Sequence, residues 1–116
     1  MRKPTEHPIN HLEFQVLLVL AEGPSYGYAI MKGVEEQSSG RHKPDVGSLY
    51  RLLARLSERG LAEEQSAPKG STFNHRGRPR KYYGLTPRGL EAVRNEAHHL
   101  AGLVAQARSH QLLPSD

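Results

Sequence analysis

The sequence predicts a mainly α-helical domain with one small β-hairpin, followed by a further helix. Three observations carry this. Residues 45–60 form an amphipathic segment bounded by Asp45 and Gly60, with leucines on one face and arginines on the other. Two short stretches expected as strands, the first with poor alternation, follow at once and flank a basic segment rich in Gly, Ser, Asn and Pro. Thr86-Pro87 then opens a segment in which apolar residues recur at alternating spacings of three and four. A helix sized for a groove, joined directly to a hairpin with a cationic tip, is the plan of a winged helix-turn-helix.

The elements follow in order. Residues 1–9 are polar and contain Pro4 and Pro8, so they read as a flexible arm. A first helix is expected from Asn10 to Glu22, with Asn10 as cap and Glu13 at capping-box spacing. Leu12, Val16, Val19 and Leu20 make one apolar stripe, and Phe14, Leu17 and Leu18 a second. A helix this apolar around its circumference is covered on more than one side, and in so small a chain the second side is assigned to another subunit. Gly23-Pro24-Ser25 breaks the chain. Ser25 is the expected N-cap of a second helix, Tyr26 to Gln37, with an inward stripe of Gly27, Ile30, Met31 and Val34.

The third helix is expected to start at Asp45 and stop at Gly60. At 100° per residue, Val46, Leu49, Leu52, Leu53 and Leu56 fill one arc, and Ser48, Arg51, Arg55 and Arg59 the opposite one, with Tyr50 at the border. Short and cationic side chains on the outer arc suit a major groove, where Arg pairs bidentately with guanine and Ser reaches base or phosphate. Arg51 and Arg55 are the expected base readers. Strands are expected at residues 61–67 and 81–85, joined by a wing loop at 68–80. Lys69, Arg76, Arg78 and Arg80 of this loop, with Lys81 opening the following strand, make the cationic tip, and Arg76-Gly77-Arg78-Pro79-Arg80 matches the core of a minor-groove AT-hook. A wing that inserts one or two arginines into the minor groove uses the same physics. In the last helix, Leu90, Val93, Ala97, Leu100, Val104, Ala107 and Gln111 form a heptad-like seam, read as a homodimer contact. The chain thus divides into an arm (1–9), a DNA-binding domain (10–86) and a dimerisation helix (87–113).

Charge supports this. The 116 residues carry net +4, but residues 69–81 hold five Lys/Arg and no acid, and residues 41–59 five Lys/Arg and two acids. The remainder is net acidic. Cations focused on two elements, rather than spread, release counterions from a polyanion. Hydrophobic content is 36%, below the usual value of about 45–50%, which again points to cover from a partner chain. There is no Cys, so disulfides and thiolate chemistry are excluded. The seven histidines show no ligand spacing, and His98 and His99 diverge on a helix, so no metal is expected. No Walker loop, dinucleotide loop or nucleophile–base pair is present, so neither a cofactor nor an enzymatic activity is expected. With no signal-peptide pattern and no long apolar run, the expected location is the cytoplasm.

Three blocks then resemble the PadR family of bacterial transcriptional regulators. They are Leu17-Leu18-Val-Leu20-Ala-Glu-Gly23-Pro24-Ser-Tyr-Gly27-Tyr28-Ala-Ile30-Met31; Gly47-Ser48-Leu49-Tyr50-Arg-Leu-Leu53-Ala-Arg55-Leu56-Ser-Glu-Arg-Gly60-Leu61; and Arg80-Lys81-Tyr82-Tyr83-Gly-Leu85-Thr86-Pro87-Arg-Gly89. The resemblance spans roughly residues 10–108 and looks like the smaller subfamily with a single C-terminal helix. It implies a homodimer that represses transcription at palindromic, double-stranded operators, with Ser48 and Tyr50 on positions that touch phosphates and the Gly27-Tyr28 pair used for packing. It also leaves room for a small-molecule effector of unstated identity. Here, however, the first wing strand has no aromatic residue, which weakens the case for a drug-stacking pocket, and the wing is long and basic. Two other readings stay open: an architectural DNA-binding protein with little base readout, and an interaction module whose basic surface meets an acidic partner.

Overall fold

The structure is a computed structural model that describes residues 8–71, 77 and 80–114. Among these, four helices and three short strands run in the order α1 (His11–Leu20), β1 (Ser25–Tyr26), α2 (Gly27–Gln37), α3 (Val46–Glu58), β2 (Ala62–Gln65), β3 (Tyr82–Leu85) and α4 (Pro87–Ser109). This is the mainly helical winged helix-turn-helix that the sequence predicts.

Local chemistry sets most of the boundaries. The Asn10 side chain accepts from the Glu13 amide and the Glu13 carboxylate accepts from the Asn10 amide, both at 2.8 Å, so the capping box at the start of α1 is complete. Asp45 caps α3 by accepting from the Ser48 amide at 2.7 Å, and Thr86 caps α4 by accepting from the Gly89 amide at 2.9 Å, with Pro87 in the first turn. Gly60, at φ +75°, ends α3 in a Schellman motif: the Leu61 amide donates to the Leu56 carbonyl and the Gly60 amide to the Ser57 carbonyl. Leu56 and Leu61 are both buried beside this turn. The same motif closes α2 and α4, but there the left-handed positions are Ser39 (φ 54°) and Gln111 (φ 64°). Gln111 is therefore the terminator of α4 and not the last member of its apolar seam.

One start was read differently from the sequence. Ser25 does not cap α2; its extended backbone and that of Tyr26 pair antiparallel with Tyr83 and Tyr82. Tyr26 takes the cap position without a side-chain hydrogen bond, and its ring meets that of Tyr82 edge-on at 5.3 Å. The expected hairpin is thus a three-stranded antiparallel sheet with β3 in the middle. On its other edge β2 pairs with β3, Ala62 opposite Leu85 and Gln65 opposite Tyr82.

The core lies where α1, α2, α3 and the sheet meet. Val16, Leu17, Leu20, Ile30, Val34, Leu49, Leu52, Leu53 and Leu56 are the fully buried side chains at its centre. Gly33 lets α2 close on α1, since a Cβ there would stand 3.0 Å from Val19. Gly89 does the same for α4, where a Cβ would collide with the Leu61 carbonyl. That approach brings Val93 into the core and packs Leu90 and Ala92 against it. The first turns of α4 are thus structurally continuous with the winged domain.

Candidate nucleic-acid interface

The outward face of α3 is built from its cap. Besides accepting the Ser48 amide, Asp45 accepts the Ser48 hydroxyl at 3.2 Å, and Arg51 Nη2 donates to the same hydroxyl at 3.3 Å. Gly47 leaves room for this, since a Cβ there would stand 3.3 Å from Arg51 Nη1. The Ser48 hydrogen bonds, and then the Arg51 charge, hold the Asp45 carboxyl below the usual carboxylate range. Ser48 and Arg51, two of the residues singled out above, are therefore joined in one exposed network at the N-terminal end of the helix. That end also carries the positive pole of the helix dipole.

Tyr50 stands beside this network and is 45% exposed. Its hydroxyl lies where a Cβ on Gly27 would be, so Gly27 is the seat of the Tyr50 ring. Burial, followed by the neighbouring Glu64 and Tyr50, raises the Tyr83 hydroxyl above its ordinary pKa, which keeps it neutral across the physiological range. Tyr50 and Leu49 of α3, Tyr28 and Met31 of α2, and Arg80 and Lys81 at the base of the wing line one cleft of about 470 Å³. The Arg80 guanidinium lies 4.4 Å from the Tyr26 ring centroid, so the aromatic ring fixes the cation at the cleft edge. Lys81 is paired with Glu64 at 3.6 Å, with both side chains well exposed, so it reaches a phosphate only by exchanging that partner.

Two residues stand elsewhere than the sequence suggested. Val46, assigned to the inward arc, is 56% exposed, and Tyr28, assigned to packing, is 57% exposed. Val46 occupies the first position of α3, where side chains lean back past the helix end and beyond the core. Of the Gly27-Tyr28 pair, only the glycine packs.

Arg55 and Arg59 differ from Arg51. Arg55 Nε lies 3.9 Å and Arg59 Nη1 3.6 Å from the Glu13 carboxylate, which is nearly buried at the start of α1. Burying that carboxylate without cations would be unfavourable, so these two arginines also hold α3 against α1. No sequence pattern showed this pairing, which spans more than forty residues; the only local sign was Glu13 itself, already explained by the capping box.

In the wing, Lys69 is exposed in a tight turn that the Ser71 amide closes onto the Pro68 carbonyl at 3.1 Å. Arg76 and Arg78, with the rest of the AT-hook-like segment except Gly77 and Arg80, lie outside the described residues. On α4, Leu90 and Val93 pack on the chain's own core, whereas Ala97 is exposed, Leu100 and Ala107 are half-buried and Val104 is 42% exposed.

His11 and His42 take structural positions, their rings meeting edge-on at 5.1 Å and His42 Nδ1 bonding the buried Gln15 amide, whereas His98, His99 and His110 are exposed. Among the described residues no three His, Cys, Asp or Glu side chains group as metal ligands, and no helix is long and apolar enough to cross a membrane.

An uncharacterized 37.1 kDa protein in transposon TN4556 of Streptomyces fradiae is 39% identical over 94 residues, covering 81% of this chain and 24% of its own. The chain therefore spans about a quarter of that relative's length. Among solved structures, a PadR family regulator from Eggerthella lenta is 30% identical, with a TM-score of 0.60 and 90% and 89% of the two chains covered. A PadR family regulator from Clostridium difficile R20291 has a TM-score of 0.71 at 20% identity, covering 88% of this chain and 99% of its own. Bacillus subtilis PadR, solved in complex with operator DNA, has a TM-score of 0.61 at 20% identity, covering 76% of this chain and 47% of its own. Residues 16–95, which run from α1 through the wing into α4, match the transcriptional regulator PadR-like family, and the chain belongs to that family.

Proposed function

We propose that this chain is a sequence-specific DNA-binding regulator of transcription, a homodimeric repressor acting at a palindromic operator in the cytoplasm. The observation that carries the reading is the shared cleft: Tyr50 of α3 and Arg80 and Lys81 of the wing base line the same surface. The two most cationic elements of the chain therefore converge on one side, as a groove-binding helix and a flanking wing require. Bacillus subtilis PadR, which shares the fold, is solved in complex with operator DNA, and this supports DNA as the partner.

In this reading α3 enters the major groove and Arg51 pairs with a base edge. Ser48 and Tyr50 fix the backbone, Arg55 reaches the groove after releasing Glu13, and Lys69, Arg76, Arg78, Arg80 and Lys81 meet phosphates and the adjacent minor groove. Leu103 and Val104, which are 47% and 42% exposed on α4, and Leu18, 40% exposed on α1, supply the apolar surface for a second copy. A two-fold dimer demands a two-fold operator, which a repressor occupies at the promoter's expense.

The test is competition between a selected duplex and random DNA across a salt series. A high specificity ratio and a steep salt dependence are expected, the slope falling by about one for each phosphate contact removed from the wing. A ratio near one would overturn base readout in favour of an architectural protein. No binding to duplex DNA at low salt would bring forward an acidic protein partner.

A further inference from the structure

An exposed apolar patch sits at the point where a polyanion is to dock. Val46 opens α3 with 56% of its surface exposed, and Tyr28 and Tyr50 stand exposed beside the same cleft. Val46 is also the neighbour of the Ser48–Arg51 network, and Arg80 and Lys81 bound the cleft on its far side. Burying an apolar side chain against phosphates gains nothing, so its position needs another complement. We propose that Val46 reads a thymine C5-methyl group in the major groove and thereby sets one base of each half-site.

The inference rests on the reading of α3 as a major-groove helix and deepens it. The N-terminal residues of a recognition helix are those that reach base edges. On those edges the donors and acceptors are matched by side chains such as Arg51 and Ser48, and the one apolar group on offer is the thymine methyl. Val46 carries no donor or acceptor, so it discriminates thymine from cytosine only through that methyl. Its β-branch holds one preferred rotamer in a helix, so ordering it on the DNA sacrifices little freedom. The competing apolar surface, deoxyribose, is the same for every base and is indifferent to the methyl.

The experiment uses the full chain. Duplexes selected from random DNA by the unmodified protein are resynthesised with each thymine replaced in turn by deoxyuridine, and affinities are measured for the unmodified protein and for Val46→Ala. One thymine under α3 is expected to lose about four-fold per half-site on replacement, the value of one buried methyl. Val46→Ala should bind the thymine duplex more weakly by a similar factor and be blind to deoxyuridine at that position. Three results overturn the inference: selected half-sites with no thymine in the base pairs facing α3, no loss at any replaced thymine, or a loss that persists undiminished in Val46→Ala. Failure to recover any preferred duplex strikes the proposed function itself, and this inference with it.

Discussion

α3 and α4 are both amphipathic, yet they use their faces in opposite ways. From Leu49 onward the apolar stripe of α3 is covered, with Leu49, Leu52, Leu53 and Leu56 at no more than 1% exposure, and apart from Val46 at its start and Tyr50 at its border what the helix leaves outside is polar and cationic. α4 is covered only at its start; Leu103 and Val104 further along face outward. An exposed cationic face stays solvated until a polyanion arrives, whereas an exposed apolar face is a standing penalty that a partner removes. The difference fits the two complements proposed above, DNA for α3 and a second copy for α4, and it can be broken at either helix.

The largest effect is expected where α4 is locked to the winged domain. Gly89→Ala drives a Cβ into the Leu61 carbonyl, and because backbone stands on both sides, neither can yield cheaply. A loss of roughly 3 kcal/mol or more is expected in urea or thermal unfolding. Gly102→Ala, in the uncovered part with nothing within 4 Å, should instead raise helix stability by about 0.5–1 kcal/mol in the isolated protomer. Equal responses at the two glycines would show that α4 is not divided in this way.

Next in size is loss of the second copy. Ending the chain after Leu100 removes the exposed apolar segment but spares Leu90 and Val93, so the winged domain should stay folded. Light scattering should then report a monomer. Affinity for a two-half-site duplex should fall by a factor on the order of 10² or more, because the second half-site contact becomes a separate binding event. A truncated chain that remains dimeric would move the interface to α1.

Much of this was legible in the sequence, because caps and stripes are local. Asn10 with Glu13, Asp45, Gly60 and Thr86-Pro87 marked their boundaries from side-chain chemistry a few residues wide. What escaped needed a distant partner. A two-residue strand has no periodicity, so Ser25–Tyr26 became visible only opposite Tyr82 and Tyr83. A helical wheel gives the direction of Val46 but not where the core it points toward ends. The grip of Glu13 on Arg55 and Arg59 joins two elements that no spacing rule connects.

That grip separates the arginines of α3. Arg51, whose guanidinium donates to the exposed Ser48 hydroxyl in the cap network, should on replacement by Ala leave unfolding unchanged and relax preference at one base of each half-site, by about 1–3 kcal/mol of discrimination. Arg55→Ala should lower stability as well, since it leaves the buried Glu13 carboxylate less well compensated. Selection from random DNA read beside thermal melts distinguishes the two. If Arg55→Ala melts with the unmodified protein, Glu13 is adequately served by Arg59 and Arg55 belongs wholly to the DNA face.

The smallest effect concerns the acid on the cationic face. Hydrogen bonds from Ser48 lower the pKa of Asp45 in the folded chain, so the charged cap contributes stability that is fully present above the unfolded pKa. As pH falls through the depressed folded value, protonation removes that contribution and α3 loses its cap. Asp45→Asn keeps a side-chain acceptor for the Ser48 amide but has no proton to take up. Melting temperatures followed from about pH 5 to about pH 2 should therefore converge, the unmodified protein losing its advantage in cap strength as the acid titrates. At neutral pH the same variant removes a negative charge from the surface offered to phosphates, so it should bind DNA somewhat more tightly at low salt, an advantage that screening erases as salt rises. A variant that binds more weakly instead would mean that Asp45 orients Ser48 and Arg51 for the DNA more than its charge repels it.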